Sequence, residues 1–135
     1  MVGQIKVRTD GQGLYELTPE LVEKVSASGI AEGLCTVFIT HTSASLVVQE
    51  NADPSAKFDL EAWLNRLVPE GDVLYTHILE GPDDMPAHIK SALTSTSLSI
   101  PIMNHALTLG TWQGIYLWEH RQSGNTRTVA FHIGD

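Results

Sequence analysis

The sequence predicts an α+β protein with a mainly antiparallel, two-layered β-sandwich of about seven strands and about three helices. Short stretches with alternating or β-branched apolar residues recur along the chain, and three segments with helical signals interrupt them. The 135 residues suit one ordinary domain, and no linker rich in proline, glycine or serine divides residues 1–135. We therefore expect a single domain.

Strands are predicted where apolar and polar residues alternate or where β-branched residues cluster. In residues 4–9, Ile5 and Val7 alternate with Lys6 and Arg8, as in a half-buried strand. The predicted strands are residues 4–9, 14–17, 34–40, 45–49, 98–103, 106–109, 115–120 and 127–133, with turns at Asn104-His105 and 123–125.

Each predicted helix begins at a capping signal. Thr18-Pro19 predicts an N-cap with proline at the first helical position, and Gly29 predicts the end of that helix. Asp53-Pro54 repeats the signal, and a shorter third helix is predicted from Asp83 or Asp84 through Leu93. The second helix carries an apolar stripe of Leu60, Trp63, Leu64 and Leu67.

Composition excludes several classes of protein. Eight basic against sixteen acidic residues give a net charge of −8, which disfavours a nucleic-acid binder that needs a basic face. No apolar run is long enough to span a membrane, and the first residues lack the apolar segment of a signal peptide. The single cysteine, Cys35, excludes an intramolecular disulfide and is expected to be a buried, inert thiol. We expect a cytoplasmic protein.

Three of the six histidines occur where an apolar pattern breaks at small, polar or acidic residues: His41, His77 and His88. Asp84 precedes His88 by four residues, so a helix would place both on one face. Three separated imidazoles suit zinc and its neighbours among the divalent metals. The spacing alone leaves open whether they converge on a metal or are separate surface and structural histidines.

Three further segments combine polar residues in unusual surroundings. Glu50, Asn51 and Asp53 lie at a strand-to-helix junction, where they either cap the helix or favour an anion. Residues 110–114 place Trp112 between Thr111 and Gln113 in a glycine-bounded turn, and this tryptophan either packs on the core or contacts a ligand. Glu119-His120-Arg121 ends a predicted strand and could be no more than a surface ion pair.

Common catalytic motifs are absent. The sequence has no Gly-x-Ser-x-Gly elbow, no phosphate-binding loop ending in Lys-Ser/Thr and no dinucleotide fingerprint. These absences exclude the common serine hydrolases, P-loop enzymes and Rossmann dehydrogenases.

The polar motifs, taken in order, resemble those of the YjbQ family over nearly the whole chain. They are His41-Thr42-Ser43-Ala44-Ser45-Leu46, residues 50–54, His77, Glu80-Gly81, residues 83–90, residues 110–114 and Glu119-His120-Arg121. The resemblance implies an α+β sandwich that assembles as a homotrimer, with the polar residues in clefts between subunits, often with a metal ion. It also implies thiamine-phosphate synthase activity, the joining of a hydroxymethylpyrimidine diphosphate to a thiazole phosphate with release of pyrophosphate.

The resemblance also suggests roles for individual residues. His41, His77 and His88 would bind a divalent metal, with zinc as the first candidate and magnesium or manganese as alternatives. The catalytic candidates are Glu50, Asp84 and Glu119; the candidates for binding a small phosphorylated substrate are Asn51, Asp53, Thr111, Trp112, Gln113 and Arg121. Because the substrate diphosphate is anionic and the chain carries a charge of −8, a cation would favour its binding.

Two other functions fit the same residues. A metal held by three histidines would also activate water, as in a metal-assisted hydrolase of a small phosphorylated compound. A protein that only binds a metal or a small anion is the other alternative.

Overall fold

The computed structural model describes residues 1–135 as eight strands and three helices. The elements are β1 (Val2–Arg8), β2 (Gly13–Glu16), α1 (Thr18–Ser28), β3 (Gly33–Ile39), β4 (Ala44–Glu50), α2 (Pro54–Leu67), α3 (Asp84–Leu93), β5 (Ser97–Met103), β6 (Ala106–Leu107), β7 (Gln113–Glu119) and β8 (Thr126–Gly134). The strands form two antiparallel sheets, in the orders β1-β8-β3-β5-β6 and β2-β7-β4. The predicted α+β class with two β layers is confirmed.

The main core contains apolar side chains from both sheets and from α1. Because side chains alternate along a strand, β3 buries every second residue: Cys35, Val37 and Ile39. Leu21 and Val25 lie four residues apart on α1 and join the same core. No helix is both long enough and apolar enough to cross a membrane.

Of the two predicted N-caps, one is confirmed and one is wrong. Oδ1 of Asp53 accepts a hydrogen bond of 2.9 Å from the backbone N–H of Ser55, as an N-cap should. Thr18 is instead the first residue of α1, and its Oγ1 accepts a 2.9 Å hydrogen bond from the N–H of Ile115. The Thr18 hydroxyl, which the sequence predicted to cap the helix, therefore accepts a hydrogen bond from β7 instead.

The buried face of α2 differs from the predicted apolar stripe, and the buried face of α3 is partly polar. On α2 only Leu64 is fully buried, whereas Trp63 and Leu67 are more than half exposed. On α3 the buried residues include the polar side chains of Asp84, Lys90 and Ser91. Asp84 belongs to the candidate site described below, whereas Lys90 donates to Asn65 on α2 and Ser91 to the carbonyl oxygen of Ala44.

The register of β4 against β7 determines which predicted site residues can meet. Ala44 pairs with Glu119 at one end of this ladder, and Glu50 pairs with Gln113 at the other. With a rise of about 3.3 Å per residue, the two ends lie roughly 20 Å apart. Functional candidates at opposite ends of the ladder therefore cannot touch one another within one chain.

Candidate metal centre

Two histidines and two carboxylates meet at the N-terminal end of α3. The ligand atoms of His77, Glu80, Asp84 and His88 all lie within 4.8 Å of one another. Oδ2 of Asp84 lies 2.7 Å from Nε2 of His77 and 3.0 Å from Nε2 of His88. Nε2 of His77 also lies 2.9 Å from Oε2 of Glu80. The predicted pairing of Asp84 with His88 is therefore present, and His77 joins it.

Local structure accounts for this convergence. Asp84 and His88 lie one turn apart on α3, so their side chains project from the same face. His77 and Glu80 come from the segment between α2 and α3. Gly81 turns this segment into α3 with a φ of +103°, a conformation that L side chains rarely adopt.

The hydrogen bonds of His88 show which of its ring nitrogens carries a hydrogen in the neutral form. Nδ1 of His88 lies 3.0 Å from the carbonyl oxygen of Thr42, which can only accept, so Nδ1 carries the hydrogen. In the neutral ring Nε2 is then a bare lone pair that faces the carboxylate oxygen of Asp84. Two acceptors at 3.0 Å need a cation between them, either a proton on Nε2 or a metal ion. An imidazole whose other nitrogen donates to a backbone carbonyl is the usual form of a metal-binding histidine.

The charges around the cluster favour a cation. Burial alone would raise the pKa of Asp84, but the hydrogen bond from His77 and the charge of Arg121 help to outweigh it, and the pKa is lowered. The hydrogen bond to Asp84 in turn raises the pKa of His77. Asp84 is therefore an anion at neutral pH, and the imidazoles point toward it.

The donor set also fits a tetrahedral ion. Zinc bonds of about 2.1 Å to nitrogen and oxygen place neighbouring donor atoms roughly 3.4 Å apart. The separations in the cluster extend from 2.7 Å to no more than 4.8 Å, so they bracket that value. Two imidazole nitrogens with two carboxylate oxygens are a ligand set that zinc and its neighbours accept.

His41 does not belong to this cluster. Its Nε2 accepts a 2.8 Å hydrogen bond from the backbone N–H of Thr128, and its Nδ1 lies 3.3 Å from Nη1 of Arg127. Burial, together with the charge of Arg127, lowers the pKa of His41. One ring nitrogen is occupied and the other faces a guanidinium, so the structure does not support His41 as a ligand.

Glu119 and His120, which lie beside this region, are buried instead of open to a ligand. The carboxylate of Glu119 accepts hydrogen bonds from Oγ1 of Thr9 at 2.7 Å and from Nε of Arg127 at 2.8 Å. Nε2 of His120 lies 2.8 Å from Oγ of Ser45, while its buried Nδ1 has no partner. The predicted catalytic role of Glu119 is not supported, because its oxygens are occupied in joining the two sheets.

Arg121 contacts the candidate centre from the segment that follows β7. Its Nε donates to Oδ2 of Asp83 at 3.0 Å, its Nη1 to Oδ1 of Asp84 at 2.7 Å, and its Nη2 to the carbonyl oxygen of Glu80 at 2.9 Å. All three nitrogens are therefore engaged within the chain. The predicted use of Arg121 to bind a substrate phosphate does not fit this geometry.

The other predicted site residues form a separate group at the far end of the β4–β7 ladder. Nδ2 of Asn51 donates to the carbonyl oxygen of Gln113 at 3.3 Å, and the N–H of Asn51 donates to that of Trp112 at 3.0 Å. Oε1 of Glu50 accepts from the N–H of Ala52 at 3.2 Å. Asp53 caps α2, and Thr111 and Trp112 are exposed in the turn before β7. Within one chain the structure does not bring any of these residues to His77 or His88.

Sequence reasoning missed Glu80 as a ligand and Asp83 as the partner of Arg121. Glu80 follows His77 by three residues and precedes a glycine, a spacing that lets both side chains point to one side of a turn. That signal was available in the sequence. No local signal pairs Asp83 with Arg121, because the two residues are 38 positions apart.

Two cavities flank the cluster. One of about 260 Å³ is lined by Tyr75, His77 and Met85 among others. The second, of about 240 Å³, has His41, His88 and Ser91 in its wall. A small molecule could therefore reach the cluster from the side of either histidine.

The fold and the site together define an antiparallel β-sandwich protein with a histidine–carboxylate cluster at the start of its third helix. The model of the family described as UPF0047 protein YjbQ-like matches residues 3–135, and the chain belongs to this family. The predicted family is confirmed.

Curated relatives and a solved structure point to the same family. The UPF0047 protein sll1880 of Synechocystis is 53% identical over 94% of this chain and 86% of its own length. YjbQ of Salmonella typhimurium is 43% identical over 87% of this chain and 86% of its own. A crystal structure of a YjbQ/UPF0047 family protein from Clostridium acetobutylicum aligns with a TM-score of 0.87 and 35% identity over 99% of both chains.

These comparisons correct the predicted activity. The matching family is described without an activity, the two relatives named above carry no thiamine-phosphate synthase description, and the protein from Clostridium acetobutylicum is described as an uncharacterized conserved protein. The prediction of a thiamine-phosphate synthase is therefore wrong on these findings. Family membership shows the fold and not a reaction.

Proposed function

We propose that this protein binds a divalent transition-metal ion, with zinc as the first candidate, through His77, Glu80, Asp84 and His88. The proposal depends chiefly on one observation: His88 donates Nδ1–H to the carbonyl of Thr42 and directs Nε2 at an oxygen of Asp84. A metal ion, unlike a proton, can be shared by these two acceptors and by Nε2 of His77, which lies 2.7 Å from the same oxygen of Asp84.

The surroundings of the four residues support the same function. Asp84 is almost completely buried, whereas the side chains of His77 and Glu80 are 46% and 63% exposed. A bound metal would supply a positive charge and a Lewis acid at this position, where water or an anion could bind. The chain itself would hold Asp84 rigid and leave the side of His77 open to solvent.

Metal analysis of protein purified without an affinity tag tests the proposal. The protein is stripped with a chelator and titrated with Zn²⁺ by calorimetry. His88→Ala and Asp84→Asn should each lose most of the zinc affinity, because the first removes a ligand and the second removes the negative charge of another. Zinc occupancy should also fall as the pH drops through the histidine range near ~6.5, because the ligands must be unprotonated.

Two histidine variants serve as controls. His132→Ala changes an exposed side chain on β8 and should retain full zinc affinity. His41→Ala should retain it as well, which separates the four-residue site from the three-histidine site expected from the sequence. Loss of zinc from the His41 variant together with full retention by the His88 variant would show that the site is misplaced.

A further inference from the structure

Arg121 donates hydrogen bonds to two carboxylates and one backbone carbonyl at the edge of the candidate centre. Its guanidinium joins Asp83, Asp84 and the backbone of Glu80, and two of these three residues are proposed metal ligands. Oδ2 of Asp83 also accepts a 2.8 Å hydrogen bond from the N–H of Gln122, which holds Asp83 in place beside the guanidinium. Arg121 therefore acts on the ligands and not on a free anion.

The contact with Arg121 gives the two oxygens of the Asp84 carboxylate different partners. Oδ1 accepts from Nη1 of Arg121 at 2.7 Å, while Oδ2 faces Nε2 of both His77 and His88. Charge-assisted hydrogen bonds of this length are among the stronger contacts in proteins. Asp84 thus presents Oδ2 to the cluster, whereas its Oδ1 is occupied by Arg121.

The number of oxygens offered by a carboxylate distinguishes classes of metal ion. Ca²⁺ takes six to eight oxygen ligands and often both oxygens of one carboxylate. Zinc takes four ligands in a tetrahedron and accepts imidazole nitrogens with single carboxylate oxygens. A cluster with two imidazoles and a carboxylate restricted to one oxygen therefore suits zinc better than an oxygen-seeking ion.

We infer that Arg121 is a specificity-determining residue for the metal: by occupying Oδ1 of Asp84 it limits this carboxylate to one ligand oxygen and disfavours ions of higher coordination number. The inference rests on the metal site proposed above. Arg121 is a positioning residue, because it acts through Asp84 and Glu80 and does not contact the metal.

Cobalt(II) reports the coordination number directly. Four-coordinate Co²⁺ has intense visible d–d absorption, and six-coordinate Co²⁺ has weak absorption. The wild-type protein should give the intense spectrum. Arg121→Gln frees Oδ1 of Asp84, so its cobalt spectrum should weaken, and the ratio of zinc to manganese affinity should fall by about tenfold.

Arg66→Gln is the matched control. Arg66 is an exposed arginine in the last turn of α2 and is not one of the partners of Asp84, so the same substitution there leaves Oδ1 of Asp84 occupied. Its cobalt spectrum and zinc-to-manganese ratio should match those of the wild type. If near-ultraviolet circular dichroism shows that Arg121→Gln does not fold, Arg121→Lys replaces it in the same two measurements. Lysine keeps the charge of arginine but lacks its planar fork of donors.

The outcomes separate the two proposals. A wild-type protein that binds neither Co²⁺ nor Zn²⁺ overturns the metal site itself. A wild-type protein that binds Co²⁺ with the weak spectrum overturns only the role of Arg121. The same holds if the Arg121 variant keeps both the intense spectrum and the wild-type affinity ratio.

Discussion

Glu119 at the end of β7 and Arg127 at the start of β8 form a buried ion pair that joins the two sheets. Nε of Arg127 donates to Oε1 of Glu119 over 2.8 Å, and the side chains are only 0% and 6% exposed for Glu119 and Arg127 respectively. β7 belongs to the three-stranded sheet and β8 to the five-stranded sheet. The pair therefore fixes the two layers together beside the candidate metal centre.

Glu119→Gln should lower the free energy of unfolding by about 3–5 kcal/mol, because it leaves the Arg127 guanidinium buried without a countercharge. Urea unfolding measures this change. Glu23→Gln alters an exposed carboxylate on α1 and should stay within about 0.5 kcal/mol of the wild type. A loss no larger than that of the Glu23 variant would contradict the role given to this pair.

His120 should make the protein less stable as the pH falls. Burial lowers the pKa of His120 to about 3, whereas an unfolded histidine titrates near ~6.5. Between these values the unfolded chain binds a proton that the folded chain does not, so stability rises with pH in that window. The effect on the free energy of unfolding should be about 2 kcal/mol between about pH 7 and pH 5.

His120→Gln tests that dependence by urea unfolding at several pH values. A glutamine can still hydrogen-bond to Ser45, and the variant should lose about 2 kcal/mol less than the wild type over this range. The slope, and not the absolute stability, is the quantity compared. The exposed His132→Gln should keep the wild-type slope, and equal slopes for all three proteins would refute the prediction.

Cys35 should be chemically inert. The residue is completely buried in β3, and burial raises the pKa of its thiol to about 11. Ellman's reagent should therefore react only after urea unfolds the chain. Cys35→Ala should leave zinc affinity unchanged and cost about 1–2 kcal/mol of stability through lost packing. Rapid reaction of the folded protein would show that the thiol is accessible.

The chain is expected to assemble as a homotrimer, as the YjbQ resemblance implies. The outer face of the five-stranded sheet exposes apolar side chains, among them Leu34, Phe38 and Met103. Light scattering should give a mass three times that of the 14.7 kDa chain. The mass of a single chain at micromolar concentration would contradict this expectation.

Local patterns predicted much of the fold. The Asn104-His105 turn is confirmed, since both residues have positive φ and connect the paired β5 and β6. The Asp53 cap is also confirmed. It was predictable from the sequence because it depends on two neighbouring residues. The apolar stripe of α2 was predicted less well, since periodicity reveals which residues share a face but not whether another element covers that face.

The sequence by itself determined the family, the strand pattern and the Asp84–His88 pair, because each depends on residues close together in the chain or on motifs in a recognisable order. Only the tertiary structure decided which polar motifs meet. The β4–β7 register places Glu50 and Glu119 at opposite ends of one ladder, and Arg121 reaches Asp83 and Asp84 across 38 and 37 positions. Such pairings are set by strand register and sheet packing, which bring distant segments together irrespective of their local composition.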